Sequence, residues 1–286
     1  MLAMALYLGC PMWGLKTWVG HFLPAGTRPK DFLATYSRRL NAVEGNTTFY
    51  GLPDAATVVR WRDATPPGFK FCLKVPQVVS HRKRLRGCEA ETSAFADCLR
   101  LLGDRCGPAF LQLPPTFNAV NLDALDAWLA AWPADLRIAV EPRHADFFGA
   151  HEASFDALLR RRGAARCVFD TAPLFSAEAT RPEIEEAQAR KPRFPVRDTR
   201  TAAFAFVRYV AHPDMSANRA WLSPWASRVA RWLAAGEDVF FFLHHPDDTF
   251  APNVARLFHG LLGELLVLPP LPAWGEFDSP VQPGLW

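Results

Sequence analysis

A run of polar side chains at alternating positions is the first part of this sequence that could do chemistry. In VEGNTTFY, residues 43–50, every second residue from Glu44 onward is polar or polar-tipped, the others being Asn46, Thr48 and Tyr50. A β-strand sends alternate side chains to opposite faces, so one face would carry a carboxylate, an amide, a hydroxyl and a phenol. Such a face could bind a polar ligand and exchange protons with it.

Polar residues also follow most of the other apolar runs of the chain. We predict that Glu44 and Glu141 form an acid/base pair, because a carboxylate in a partly dry cavity can be tuned in pKa, and that Lys74 completes the catalytic set. The predicted substrate-binding residues are Asn46, Thr48, Tyr50, His81, Gln112, Arg143, His144, Asp170, Arg208, His212 and His244. Lys74, on the adjacent strand, is the expected cation for Glu44.

Each of these residues also has a structural interpretation. A single polar residue at a strand end is usually solvated or makes a structural hydrogen bond. Seven such ends are harder to explain in this way, because side chains directed into a closed barrel cannot all reach bulk water and buried charges need partners. The pattern therefore favours a site for a small anionic or polyhydroxy substrate, although a barrel that binds a ligand without chemistry has the same pattern.

A metal centre is an alternative use of the same groups. Glu44, Glu141, Asp170 and a histidine are suitable ligand types for a hard or borderline divalent cation. The sequence has no H-E-x-x-H or comparable local spacing. We therefore assign no metal ligand and no cofactor.

A basic loop raises a second alternative, the binding or cleavage of a phosphodiester. SHRKRLRG, residues 80–87, follows the third predicted strand and packs five potentially cationic side chains together: His81, Arg82, Lys83, Arg84 and Arg86. A basic rim around an acidic floor suits a nucleic-acid backbone. Charge runs in loops are usually only solvated, and the net charge of +3 adds little support. Nucleic acid is the weaker of the two expectations.

Eight short apolar runs, separated by helical patterns, must position these residues. The strands are predicted at residues 5–10, 41–48, 69–75, 108–113, 136–141, 165–170, 203–210 and 238–244. Near-continuous hydrophobic runs are typical of parallel strands covered by helices. The order predicts an α/β fold, a (β/α)₈ TIM-type barrel, whose sites lie at the C-terminal strand ends. A doubly wound sheet is the rival, but no G-x-G-x-x-G follows the first strand.

The remaining segments fit one domain over residues 1–286. Residues 171–203 form a long charged insertion after the sixth strand, which we expect to cover the site as a wall or lid. Residues 268–286 form a Pro-rich tail that we expect to lie over the outside of the domain.

Composition indicates a cytoplasmic protein. Half of the residues are hydrophobic and about a fifth are charged, as in ordinary globular proteins. The six cysteines form no C-x-x-C pair, which favours a reduced compartment without structural zinc. The start, MLAMALYLGC, lacks a basic region and a cleavage site and is interpreted as a buried strand. No apolar run approaches the roughly 20 residues that span a bilayer, so no membrane partner is expected.

Several longer pieces resemble a known family. YLGCPMWG, VEGNTTFYGLP, RWRDATPPGFKFCLKVP, SHRKRL, FLQLPP, AVEPRH and FVRYVAH occur in the order of the domain-of-unknown-function-72 (YecE-like) family. The resemblance covers roughly residues 5 to 262 and includes the specific signature Glu-x-Asn-x-Thr-Phe-Tyr at Glu44 to Tyr50. It implies a TIM-type barrel and supplies no established reaction. The family often has asparagines after the last strand, where this chain has His244 and His245.

Overall fold

Eight parallel β-strands form a nearly closed barrel in the computed structural model, which describes residues 5–272 and residue 274. The strands are β1 Leu6–Cys10, β2 Ala42–Gly45, β3 Lys70–Leu73, β4 Ala109–Gln112, β5 Ile138–Glu141, β6 Ala165–Asp170, β7 Phe204–Val210 and β8 Asp238–His244. The predicted TIM-type barrel is confirmed, and each strand lies within the run predicted for it.

Hydrogen bonding runs around the barrel with one weak seam. The strands are ordered β3-β2-β1-β8-β7-β6-β5-β4, so that β3 and β4 are the two ends of the ladder. Only isolated bridges join these ends, one of them between Lys74 and Phe110. Backbone bonds from Val75 N to Phe110 O and from Gly107 N to Phe71 O close the seam at 2.9 Å each.

Helices connect the strands and cover the outside of the barrel. They are α1 Phe32–Tyr36, α2 Thr47–Tyr50, α3 Ala55–Asp63, α4 Glu89–Arg100, α5 Leu122–Ala131, α6 Glu152–Arg162, α7 Ala172–Ser176, α8 Pro182–Arg190, α9 Asn218–Ala234 and α10 Ala251–Gly263. Gly163 ends α6 at a φ of 66°, in the left-handed region that a residue with a side chain rarely adopts. Among the helices in the described residues, none is both long and apolar enough to cross a membrane.

Strand alternation sorts the side chains into an outer and an inner set. The outer set, such as Val43 and Val140, belongs to the large core under the helices. The inner set forms a separate buried cluster: Ala42, Cys72, Phe110, Ala139, Ala165, Cys167, Phe204, Phe206, Phe240 and Phe242. Two residues further along a strand, the side chain faces the same interior. This places a polar layer above the aromatic one, toward the C-terminal end of the barrel.

Gly9 allows β1 and β2 to approach closely at the level of the inner aromatic cluster. A Cβ atom on Gly9 would lie 2.2 Å from the carbonyl oxygen of Ala42, a distance that real Cβ atoms do not show. A side chain at this position would push the two strands apart.

The second strand is shorter than predicted. It ends at Gly45, and residues Thr47–Tyr50 form the short helix α2. The alternation that begins at Glu44 therefore continues only as far as Asn46. The alternating polar pattern is the same whether the strand continues or ends. It therefore does not predict that the chain becomes helical after Gly45.

The charged insertion, residues 171–203, contains α7 and α8 and lies on the face that carries the polar layer. The hydroxyl of Thr171 donates to the carbonyl of Pro192 at 2.8 Å, which holds the end of the insertion beside β6. The ammonium of Lys191 is partly buried and interacts electrostatically with Glu44. A role for the insertion as a lid stays a prediction.

The described part of the Pro-rich tail packs on the outside of the barrel. Residues 268–272 continue from α10, and the ring of Trp274 meets that of Phe22 edge to face, with centroids 5.2 Å apart. Residues 273 and 275–286 lie outside the described part of the chain.

Candidate active site

Arg208 occupies the middle of the polar layer. Its guanidinium donates to both carboxylate oxygens of Glu44, from Nε at 2.8 Å and from Nη2 at 2.7 Å. Nη1 donates to Oε2 of Glu141 at 2.6 Å. Both carboxylates are fully buried, and Arg208 is nearly so. Planar, bidentate pairing of this kind is the geometry that suits arginine and not lysine.

Glu44 is surrounded by donors. Besides Arg208, the amide of Asn46 donates to it at 2.9 Å and Nε2 of His244 lies 3.1 Å away. Burial alone would raise the pKa of Glu44, but Arg208 and His244 outweigh it and hold the pKa well below its usual range. Glu44 is therefore an ionised carboxylate at neutral pH.

Glu141 is held in the same state. Burial opposes its charge, yet Arg143 and Arg208 lower the pKa of Glu141 below its usual value. Arg143 contacts Glu141 directly and also donates to Oε1 of Gln112 at 3.3 Å. Its guanidinium lies over the ring of Phe169, 4.6 Å from the centroid. The two glutamates thus converge on the guanidinium of Arg208 from β2 and β5, but neither is poised to give up a proton.

Lys74 is a cation of this layer that burial makes easier to deprotonate. The residue is 8% exposed, and its ammonium donates to Oε1 of Gln112 at 2.8 Å and lies 4.1 Å from the centroid of Phe49. Burial and the charge of Arg208 lower the pKa of Lys74 to about 8. The prediction that Lys74 neutralises Glu44 is wrong, because Arg208 reaches across the barrel to fill that position.

His81 lies next to Lys74 at the rim of the layer. Its imidazole meets the ring of Phe49 edge to face at 5.1 Å, and Nδ1 lies 2.8 Å from the hydroxyl of Ser80. Burial, with the charges of Lys74 and Arg143, lowers the pKa of His81 to about 4. The ring is therefore neutral at physiological pH and can accept or donate a hydrogen bond.

Two residues of the opening motif do not belong to the polar layer. Thr48 is fully buried, and its hydroxyl donates to the carbonyl of Lys74 at 2.7 Å, so it fixes α2 to the end of β3. Tyr50 is 78% exposed at the end of α2. Both residues lie outside the polar layer, because the chain becomes helical after Gly45, and their assignment as substrate-binding residues stays a prediction.

Three other predicted ligand-binding residues are engaged elsewhere. Asp170 faces outward, where the indole of Trp225 donates to it at 2.7 Å, because the inward position on β6 belongs to Phe169. His144 accepts a backbone hydrogen bond at the start of the next turn. His212 accepts the backbone N–H of Asp214 at 3.0 Å. The structure thus corrects their predicted place: none of them belongs to the central cluster.

Three residues beside the polar layer are not identified by the sequence analysis. Phe49 and Phe169 form apolar surfaces beneath Lys74 and Arg143. The alternation of β6 from Cys167 could have identified Phe169. Lys191 carries no local signal, because it reaches the site through the path of the insertion.

The basic loop is largely tied to neighbouring side chains. The pairs are Lys83 with Glu91, Arg84 with Thr116 and Arg86 with Asp123. Residues Val78–Arg82 form a single wide helical turn, in which Arg82 is exposed. These pairs reduce the number of cations that could meet a phosphate backbone without losing a partner.

The carboxylates of the polar layer do not form a metal-binding group. Within residues 5–272 and 274, no set of three His, Cys, Asp or Glu side chains is arranged to hold an ion. The guanidinium of Arg208 stands between Glu44 and Glu141, where a shared cation would have to bind. The six cysteines are free thiols.

Glu44→Gln is expected to make the protein less sensitive to acid. Because folding lowers the pKa of Glu44, its charge contributes stability that is present above the ordinary pKa of about 4.5 and is lost as pH falls through the lowered value. We expect the variant to lose about 2 kcal/mol at pH 7 and less at pH 3. Urea unfolding across this range measures the difference. The exposed Glu264→Gln is the control, and equal pH slopes in the two variants would contradict the assignment.

The chain has relatives among known proteins over most of its length. Residues 7–275 match the family described as "Protein of unknown function DUF72". Two relatives called UPF0759 protein YecE, from Escherichia coli strain K12 and from O157:H7, are 35% and 34% identical over 253 residues, covering 88% of this chain and 90% of theirs.

Crystal structures of two similar proteins share the fold. A DUF72 family protein from Thermotoga maritima MSB8 superposes with a TM-score of 0.70 at 21% identity, covering 91% of this chain and 99% of that one. A DUF72 family protein from Enterococcus faecalis V583 gives 0.68 at 17% identity, covering 91% and 98%. At these identities the likeness concerns the fold, and it agrees with the barrel described above.

Proposed function

The chain belongs to the DUF72 family, whose description names no reaction, and from its polar layer we propose that it is an enzyme that moves a proton on a small anionic substrate. The buried ammonium of Lys74 carries this proposal. It combines a pKa of about 8, a single neutral acceptor at Gln112 and a position at the C-terminal end of a barrel strand.

An excess of positive charge supports an anionic substrate. The cations around the cavity are Lys74, Arg143, Lys191 and Arg208, and the carboxylates are Glu44, Glu141 and Asp248. Arg208 is committed to two carboxylates, whereas Lys74 makes its hydrogen bond to an uncharged amide. A carboxylate or phosphate group next to Lys74 and Arg143 would balance the excess.

The proton is assigned to Lys74 because the glutamates are poorly suited to carry it. The pKa values of Glu44 and Glu141 lie below their usual range, so a general acid is not available from either. The ammonium of Lys74 can donate a proton to the substrate and stabilise negative charge that develops there, and the neutral amine left behind regains a proton from solvent. Arg208 fixes both carboxylates and so holds the layer rigid around the reacting atoms.

The test is the pH dependence of turnover on a panel of phosphorylated and carboxylated small molecules. In the parent protein kcat/KM is expected to fall as pH rises through about 8, because the ammonium is the active form. Lys74→Arg keeps a cation that does not titrate and should lose this fall. Lys70→Arg, at the other end of β3, is the matched control. Turnover by Lys74→Arg with the parent's profile would contradict the proposal, and anion binding without any turnover would indicate a binding protein.

A further inference from the structure

A groove beside the candidate active site exposes apolar and aromatic surface. It has a volume of about 330 Å³ and lies between α2, the turn after β3 and α4. Its lining includes Tyr50, Leu52, Val78, Ala90, Ala94 and Arg82. Tyr50 is 78% and Leu52 38% exposed, although most large apolar side chains of this chain are buried. An exposed apolar surface inside a concave groove is a typical feature of a ligand site.

The groove is held in shape by the same contacts that build the site. The hydroxyl of Thr48 fixes α2 to the carbonyl of Lys74, and residues 76–78 of the groove wall are separated from Lys74 by one residue of the chain. Tyr50 packs edge to face on Phe49, with centroids 5.3 Å apart. Tyr50 is therefore exposed on an ordered element. Its side chain should lose little further conformational entropy when a ligand binds.

Phe49 connects the groove to the candidate active site. The ammonium of Lys74 lies 4.1 Å from the Phe49 centroid, and Phe49 also lines the groove. A single ring thus separates the proposed anion position from the apolar surface. A ligand that fills both must carry an apolar part close to its anionic group.

We propose that this groove binds an aromatic ring carried by the anionic substrate. The inference rests on the proposed function, because the anionic end of that substrate is placed at Lys74 and Arg143. A flat ring suits the groove better than a sugar, since the wall is mainly apolar and Glu91, one of its few polar groups, is paired with Lys83. Arg82 at the exposed side can stack on such a ring.

Binding of three phosphates tests the proposal: inorganic phosphate, n-butyl phosphate and benzyl phosphate, each measured by titration calorimetry. The parent protein is expected to bind benzyl phosphate about tenfold more tightly than n-butyl phosphate, the size of effect that aromatic pairing gives. Tyr50→Ala removes the ring that the ligand contacts, and Ala94→Trp fills the groove. Both variants should lose the preference for the benzyl group and keep the affinity for inorganic phosphate.

The control and the contrary outcomes separate the two proposals. Leu265→Ala removes another exposed apolar side chain, after α10 and outside the groove, and should leave all three affinities unchanged. Equal binding of the benzyl and butyl esters, or a benzyl preference that survives in both groove variants, overturns the aromatic subsite while the anion site stands. Absence of binding by all three phosphates in the parent protein overturns the anion site, and the aromatic subsite falls with it.

Discussion

Arg208→Met is expected to lower the free energy of unfolding by about 3–5 kcal/mol at pH 7. The guanidinium makes three hydrogen bonds to Glu44 and Glu141, both of which are fully buried. Removing it leaves two carboxylates in a dry interior with too few donors. Urea unfolding of parent and variant measures the loss.

The pH dependence of this loss identifies its cause. Without Arg208 the folded-state pKa values of Glu44 and Glu141 should rise, so the deficit should be greatest at neutral pH and shrink in acid, where both carboxyls are protonated. Adding Glu44→Gln and Glu141→Gln to the variant should recover part of the loss. Arg219→Met breaks an exposed pair with Glu264 and should cost less than about 1 kcal/mol. Equal losses in Arg208→Met and Arg219→Met would show that the central cluster is not a buried ionic network.

Lys74→Met is expected to act in the opposite direction on stability while it abolishes function. The buried ammonium is unfavourable in the folded state, which is why its pKa falls to about 8. An apolar side chain of similar length removes that cost and should raise the free energy of unfolding by about 1–3 kcal/mol at pH 7, after the loss of the bond to Gln112. Turnover should fall by about a hundredfold or more if Lys74 carries the proton.

The sign of the pH effect separates this explanation from general repacking. Because folding lowers the pKa of Lys74 from 10.5 to about 8, the folded chain binds fewer protons than the unfolded chain between these values. The parent should therefore gain stability relative to Lys74→Met as pH rises from about 8 to 10.5. Chemical unfolding at pH 7, 9 and 10.5 gives the comparison. A constant difference across this range, or a destabilised variant at pH 7, would contradict the assignment.

The barrel and part of its site were accessible from the sequence because strand alternation is a local property. Glu44 and Glu141 each lie two residues beyond a small inward-facing alanine, and the same count places Lys74 and Arg208 in the layer. The family resemblance pointed to the same fold. Alternation does not indicate where a strand ends. Tyr50 is therefore predicted on a strand face, although β2 ends at Gly45 and Tyr50 lies on α2.

Which charged groups of the layer pair with each other depends on how far each side chain extends across the barrel. Local sequence does not encode this. Lys74 neighbours Glu44 on the adjacent strand, yet Arg208 on β7 is longer, carries a planar fork and takes both glutamates. Lys191 is a second example, because its position depends on how a 33-residue insertion folds back. Asp170 is a polar residue at a strand end that does not belong to the layer. Its carboxylate accepts a hydrogen bond from the indole of Trp225 outside the barrel.

The aromatic cluster beneath the polar layer closes the barrel on that side. Phe110, Phe206, Phe240 and Phe242 are fully buried and fill the barrel interior below the charged groups. No channel can run through such a packed stack, so the polar layer can be reached only from the C-terminal end of the barrel. In the proposed enzyme, a product must therefore leave by the route that the next substrate takes. Steady-state kinetics should then show product inhibition that is competitive with the substrate.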